Sequence, residues 1–442
     1  MTKEKLDMTI YFKSVQRDWK GECEMQNTID KTVVSKAEEN SLLQNSKKVI
    51  LALQHLIAMF GATVLVPILT GLNPSVALFS AGVGTLIFHL CTKGKLPVFL
   101  GSSFAFIPAI ITVKTLYNGD LRYAQGGLLV AGIIYVLISF LINKIGVEKI
   151  QKYLSPQVVG PMIIVIGMNM IPTAFGMASE NLIVAGVTLT VALAINFKSK
   201  GFIKQLAILL AVVVGYILSM RMGLVETDII REASLFAMPG FTLPKFDLGA
   251  IAIVTPVILS VFMEHLGDIT TNGQVVGRDF IKDPGLNRTL LGDGLATTFA
   301  SLIGGPANTT YGENTAVLAI TKNYDPSILR LAAVFAVLLA FVSKMGALLT
   351  TIPNAVMGGI SLMLFSMISL IGVKTIKDQD VDFNWKNILV IATIIILGLG
   401  SGIIESRFGI IIGIPITESV KISGLSFAAL VGIILNALLN RN

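Results

Sequence analysis

Residues 306–320 read PANTTYGENTAVLAI, a stretch that sets one carboxylate, Glu313, among small and apolar residues. The Asn-Thr-Thr-Tyr-Gly run before the acid is poor helix material, and the apolar run after it is short. From Gly312 to Ile320 a helix rises only about 13 Å at 1.5 Å per residue, well under a hydrocarbon core about 30 Å thick. The stretch therefore reads as extended backbone followed by a half-helix, with an acid at the junction.

The surrounding chain is that of a membrane protein. Its 442 residues are 53% hydrophobic and 14% charged, with a mean hydropathy of +0.77; soluble domains carry about 25% charged residues. Apolar segments fall near 49–69, 75–91, 98–113, 125–142, 155–172, 181–197, 204–220, 250–268, 287–303, 312–320, 328–350, 354–373, 387–402 and 424–440, fourteen in all. Residues 1–46 are polar and of mixed charge, without the apolar core of a signal peptide, and read as a cytosolic tail. With the tail inside, the loops that return to the cytosol are KGK, NKIGVEKIQK, KSKGFIK, GRDFIKDPGLNR, KNYDPSILR and KTIKDQDVDFNWK. Together with the tail they hold most of the 34 Lys and Arg. This alternation follows the positive-inside rule, so the net charge of +7 is a topology signal and implies no nucleic-acid partner. Cys23 and Cys91, one in the tail and one at a span end, make no disulfide framework. Nucleophile–base constellations, metal-ligand clusters and phosphate loops are missing from the sequence, which reads as neither an enzyme nor a cofactor carrier.

Two of the fourteen segments are interrupted. One holds Glu313; the other, GSSFAFIPAIITV (101–113), contains Pro108. Irregular backbone at membrane depth survives only where protein or a watery cavity satisfies it. Short, broken spans at matching places in two halves point to a transporter binding site. The halves do match: LQHL (53–56) recurs as MEHL (263–266), SSFAF (102–106) as TTYGE (309–313), and SPQVVG (155–160) as IPNAVMG (352–358), in the same order. Seven spans per half is odd, so the second copy must be inverted. The expected fold is thus an all-α polytopic membrane protein, fourteen transmembrane segments in two inverted seven-helix repeats, with half-helix/strand segments at spans 3 and 10.

The chemistry follows from where the acids fall. Free N–H groups at a half-helix start attract partial negative charge, here near Glu313 and, in the first half, near Phe104–Phe106. Glu264 lies deep in IAIVTPVILSVFMEHLGD, with Asp268 one turn on, on the same face. Two such carboxylates in low dielectric resist joint ionisation, which suits a group that loads and releases a proton, and ionisable groups inside a membrane are rare. Donors and acceptors together suit a small planar molecule bearing C=O and N–H, with Phe104 and Tyr311 as candidate stacking rings. His55 and His265 sit at matching repeat positions and read as hydrogen-bond partners; His89 reads as interfacial. Asp268, near the expected span end, is also compatible with a plain solvated acid.

The pattern ENTAVLAITK (313–322) resembles the signature of the nucleobase–ascorbate transporter family, also called nucleobase–cation symporter 2. Glu313, Asn314, Thr321 and Lys322 match it, while Ala316 stands in place of a Gly. QHLIAMFGATVLVP (54–67), GSSFAFI (101–107), DPGLNR (283–288) and GGPANTTYGEN (304–314) resemble the bacterial uracil permease branch. The resemblance implies a core domain (47–150 and 250–350) holding substrate against a gate domain (151–249 and 351–442). It implies proton symport across the cytoplasmic (inner) membrane with the proton as coupling ion, no other cofactor, surrounding lipid, and a homodimer. By position, Glu264 and Glu313 would bind the N–H groups of uracil or a related nucleobase. Backbone amides at Phe104 and Gly312 would serve its carbonyls, Tyr311 would line the site, and Glu264 with Asp268 would couple the proton. Two cues pull apart: uracil permeases often carry His where this chain has Asp268, whereas xanthine and urate carriers carry Asp there but usually Gln in place of Glu313. A xanthine or urate proton symporter is the alternative. A sulfate-type anion exchanger shares the seven-plus-seven plan, but acids at Glu264 and Glu313 would repel its anion.

Overall fold

The computed structural model describes residues 46–146, 155–378, 381–410, 412–415 and 421–440. The tail expected over 1–46 therefore lies outside the described residues except for Ser46. Residues Leu53–Asn442 form one compact unit.

Among the described residues, six helices are long and apolar enough to cross a bilayer: Ser46–Thr70, Pro74–Cys91, Arg122–Lys144, Pro156–Ser179, Leu248–Val276 and Asn354–Lys377. Shorter apolar helices cover Ile107–Leu116, Leu182–Lys198, Ala207–Arg221, Pro326–Ala340, Trp385–Ser401 and Phe427–Leu439. Their starts follow simple local rules. Asn73 caps the Pro74–Cys91 helix by accepting from the amides of Ser75 and Val76, and Pro74 fills the first helical position. Asn181 caps Leu182–Lys198 through Val184 N, and Asp325 with Pro326 repeats the Asn73–Pro74 device.

The helices differ from the expected segments in three places. The segment expected over 328–350 is two helices, Pro326–Ala340 and Ser343–Thr350, because the backbone at Val342 turns out to pair with Phe236 in an isolated bridge. Pro256 tightens Thr255–Val257 into a 3₁₀ turn between Leu248–Val254 and Ile258–Val276, as a ring that removes an amide donor should. That last helix runs two turns beyond the expected end at 268. Asp268 is therefore mid-helix.

Two packing groups emerge. Pro156–Ser179 lies along Asn354–Asp378, which also packs on Leu182–Lys198, and Trp385–Phe408 packs on Gly424–Leu439. Separately, Pro74–Cys91, Arg122–Ile145, Leu286–Leu302 and Pro326–Ala340 pack together. In the first group Gly160 and Gly372 meet so closely that a Cβ on Gly372 would stand 2.6 Å from the Gly160 carbonyl. Small residues allow such backbone approach where apolar burial alone cannot drive helices together in lipid.

The interrupted segments become strand plus half-helix. Leu100–Ser102 (β1) precedes the Ile107–Leu116 helix, and Asn308–Thr310 (β2) precedes Gly312–Thr321; each helix is 10 residues long. β1 and β2 pair antiparallel with Leu100 opposite Thr310, Gly101 opposite Thr309 and Ser102 opposite Asn308.

Candidate functional site: a cavity between broken helices

Two three-residue strands leave many backbone groups without ladder partners, and neighbouring helices supply them. Thr85 accepts from Leu100 N at 2.9 Å, and Thr297 Oγ1 accepts from Asn308 N at 3.2 Å and donates to Asn308 O at 2.8 Å. Ser103 N reaches Ala307 O and Tyr311 N reaches Phe99 O, which extends the pairing past the strands. The Asn308 amide donates to Ser80 O at 3.0 Å. Threonine hydroxyls inside apolar spans thus meet the requirement that buried backbone be satisfied.

Gly101 makes the crossing possible. A Cβ there would lie 2.3 Å from Cζ of Tyr311, whose hydroxyl donates to Ser102 O at 2.9 Å. Tyr311 is 4% exposed, so its ring staples one strand to the other and its hydroxyl is already committed.

A cavity of about 830 Å³ opens against this crossing. Phe104, Glu264, Asp268, Tyr311, Gly312 and Glu313 all line it. Phe104 and Glu313 are half-buried, while Glu264 and Gly312 are exposed to the cavity. Glu313 stands in the first turn of its half-helix, where the helix dipole favours an anion. Asp268 Oδ2 accepts a 2.8 Å hydrogen bond from Thr310 Oγ1 at the end of β2, which turns this acid toward the strand crossing. The reading of Asp268 as a plain solvated acid gives way: the helix continues past it and its carboxylate sits in the cavity wall.

The histidines lie behind the wall. His265, with no exposure, pairs Nε2 with Thr289 Oγ1 at 3.0 Å and holds Nδ1 3.4 Å from Asp293 Oδ2 without hydrogen-bond alignment. His55 receives the Asn314 amide at its ring and its backbone carbonyl, both at 3.1 Å. His89 was expected at the interface; it is 3% exposed and contacts Val98 O at 2.9 Å, because the loop after its helix folds back over it. Sequence reading passed over Asp293, a fully buried acid in a stretch of weak apolar pattern, and over Asn272, whose amide ties Pro97 O to Thr315 Oγ1. A polar residue mid-span was the available signal for both.

Comparison with known proteins adds what geometry cannot. The model of a family described as "Permease family" matches residues 46–404. The chain belongs to the nucleobase–ascorbate transporter family. A uracil permease of Bacillus subtilis (strain 168) is 40% identical over 408 residues, covering 88% of this chain and 91% of the relative. A uracil permease of Bacillus caldolyticus is 41% identical over 405 residues, with 88% and 91% covered. The transmembrane domain of the cyanobacterial bicarbonate transporter BicA superposes with a TM-score of 0.59 at 14% identity, covering 88% of this chain and 96% of that one. At that identity the likeness speaks for the fold alone. This member of the family is a multi-pass, mostly helical membrane protein with the fold of membrane transporters. Its signature residues have visible tasks: Asn314 holds His55, and Lys322, in a left-handed conformation (φ 51°), ends the half-helix.

Proposed function

We propose that this chain is a uracil:proton symporter of the cytoplasmic membrane that works by alternating access and performs no enzymatic chemistry. The observation that carries the reading is that one cavity gathers Phe104, Glu264, Asp268, Tyr311, Gly312 and Glu313 from segments far apart in sequence. Relatives named uracil permeases at about 40% identity support the substrate.

In this reading Glu264 and Glu313 accept the N–H groups of the heterocycle. The backbone amides of Phe104 and Gly312, at the starts of the half-helices, face its carbonyls. Phe104 offers its ring face, and Tyr311 shapes the wall by holding the strands. Glu264 and Asp268, one turn apart, share the transported proton. A proton taken up outside removes the charge repulsion between them and permits a neutral ring to bind; release follows where the site faces the less acidic cytosol.

The architecture proposed is fourteen spans in two inverted sevens, with core 47–150 and 250–350 moving against gate 151–249 and 351–442, the N-terminus cytosolic, and two copies forming a dimer in lipid. The twofold use of Thr85 on Leu100 and Thr297 on Asn308 supports the repeat. The two helix packing groups support the core–gate division.

The test is radiolabelled uracil uptake in a permease-deficient host, with and without a protonophore. Glu264→Gln should abolish proton-driven uptake at normal expression. Accumulation of uracil at wild-type levels by that variant would remove Glu264 from the mechanism.

A further inference from the structure

The cavity is larger than one ring requires: about 830 Å³ is a volume that elsewhere holds drug-sized ligands. Its walls are also unlike. The lining drawn from Pro156–Ser179 and Asn354–Asp378 is apolar (Ile163, Leu364, Ile371) except for Thr375, whose hydroxyl returns to Ile371 O at 2.9 Å. The opposite wall, from Ile258–Val276, stays polar well past the acids.

On that wall Glu264, Gly267, Thr271 and Gln274 fall within about 80° of helical arc and climb about 15 Å. All four are exposed, and all line the cavity. Gly267 is the telling residue. Glycine inside a helix is unfavourable and is usually excused by close packing, yet a Cβ at Gly267 would meet nothing within 4 Å. Its lack of a side chain leaves a flat, clear patch of wall. Beyond it, Thr271 and Gln274 offer a hydroxyl and a primary amide that share one face. A primary amide presents C=O and N–H side by side, the complement of the C=O/N–H edge of a pyrimidine or other cyclic amide.

We infer that Thr271 and Gln274 form a second, weaker station for a neutral cyclic amide, beyond Asp268 on the path out of the cavity. The clear surface at Gly267 lets the ring pass from the carboxylates, and its edge then pairs with Gln274. The wall beyond Asp268 has no acid, so this station takes the substrate without a proton and separates release of the two. The inference rests on the uracil reading of the same cavity.

Equilibrium binding of radiolabelled uracil to the full chain in lipid nanodiscs, carried to millimolar concentration, tests it. The wild type should bind two equivalents, one tight and one weak. Gln274→Leu should keep the tight phase and weaken the other at least tenfold. A single class of site in the wild type, or a weak phase unchanged in Gln274→Leu, overturns the second station. If Gln274→Leu loses both phases through misfolding, Thr271→Val decides on the same criterion. No uracil binding at all by the wild type would sink the uracil reading itself, and this inference with it.

Discussion

Asn314 uses its one side-chain amide twice, toward the ring and the backbone carbonyl of His55. For the ring nitrogen to accept, the His55 proton must sit on the other nitrogen, so the contact sets the tautomer as well as the position. Asn314→Ala would leave both acceptors buried without a donor. It should lower stability by about 1–3 kcal/mol, read as an earlier thermal transition in detergent; an unchanged transition would show the contact to be dispensable. At this scale much was legible: an acid or histidine in an apolar run stands out, and Glu264, Glu313, His55 and His265 all did. Asp293 did not, because its stretch (LNRTLLGDGLATTFASL) is too mixed for one more polar residue to be conspicuous.

The strand-plus-half-helix pair is the element on which the cavity depends, and Gly101 is its tightest point. Gly101→Ala would drive a methyl into the Tyr311 ring and should destabilise by about 1–3 kcal/mol, with binding lost in proportion. The double variant Gly101→Ala/Tyr311→Ala should recover part of that loss, so a double variant worse than the sum would refute the steric account. Outside the spans, the Tyr117–Asp247 hydrogen bond and the Asp120 ion pairs with Arg122 and Lys245 tie the 117–122 loop to 245–247. Burial, then the bond to Asp247, push the Tyr117 phenol up to about 12, and the same bond holds the Asp247 carboxyl below its usual range. A lowered acid contributes stability above its unfolded value of about 3.9 and loses it only as pH falls further. This tie should therefore stay intact from pH 7 to 5. Asp247→Asn should leave the shape of the uptake–pH profile in that window unchanged, whereas a shifted profile would place these loops in the proton path.

For the whole molecule, one cavity wall carries nearly all the polar groups and the other is almost purely apolar. A substrate held by one wall and merely covered by the other can travel with the first, which is what movement of a core against a gate requires. Selection among rings must then come from the polar wall. With Glu313 in place, excess unlabelled xanthine should leave uracil uptake nearly unchanged; strong competition would favour the purine reading that Asp268 invites. The chain's own order of residues determined that it crosses a membrane, where its acids lie and which spans are broken, because hydropathy and helix length are local properties. Which acids share a wall, that a tyrosine ring needs a glycine from the other half, and that Asp268 sits mid-helix were decided only in three dimensions. The strand crossing behind them joins Gly101 to Tyr311, some two hundred positions apart, and no period in the sequence encodes a contact between two strands of three residues each.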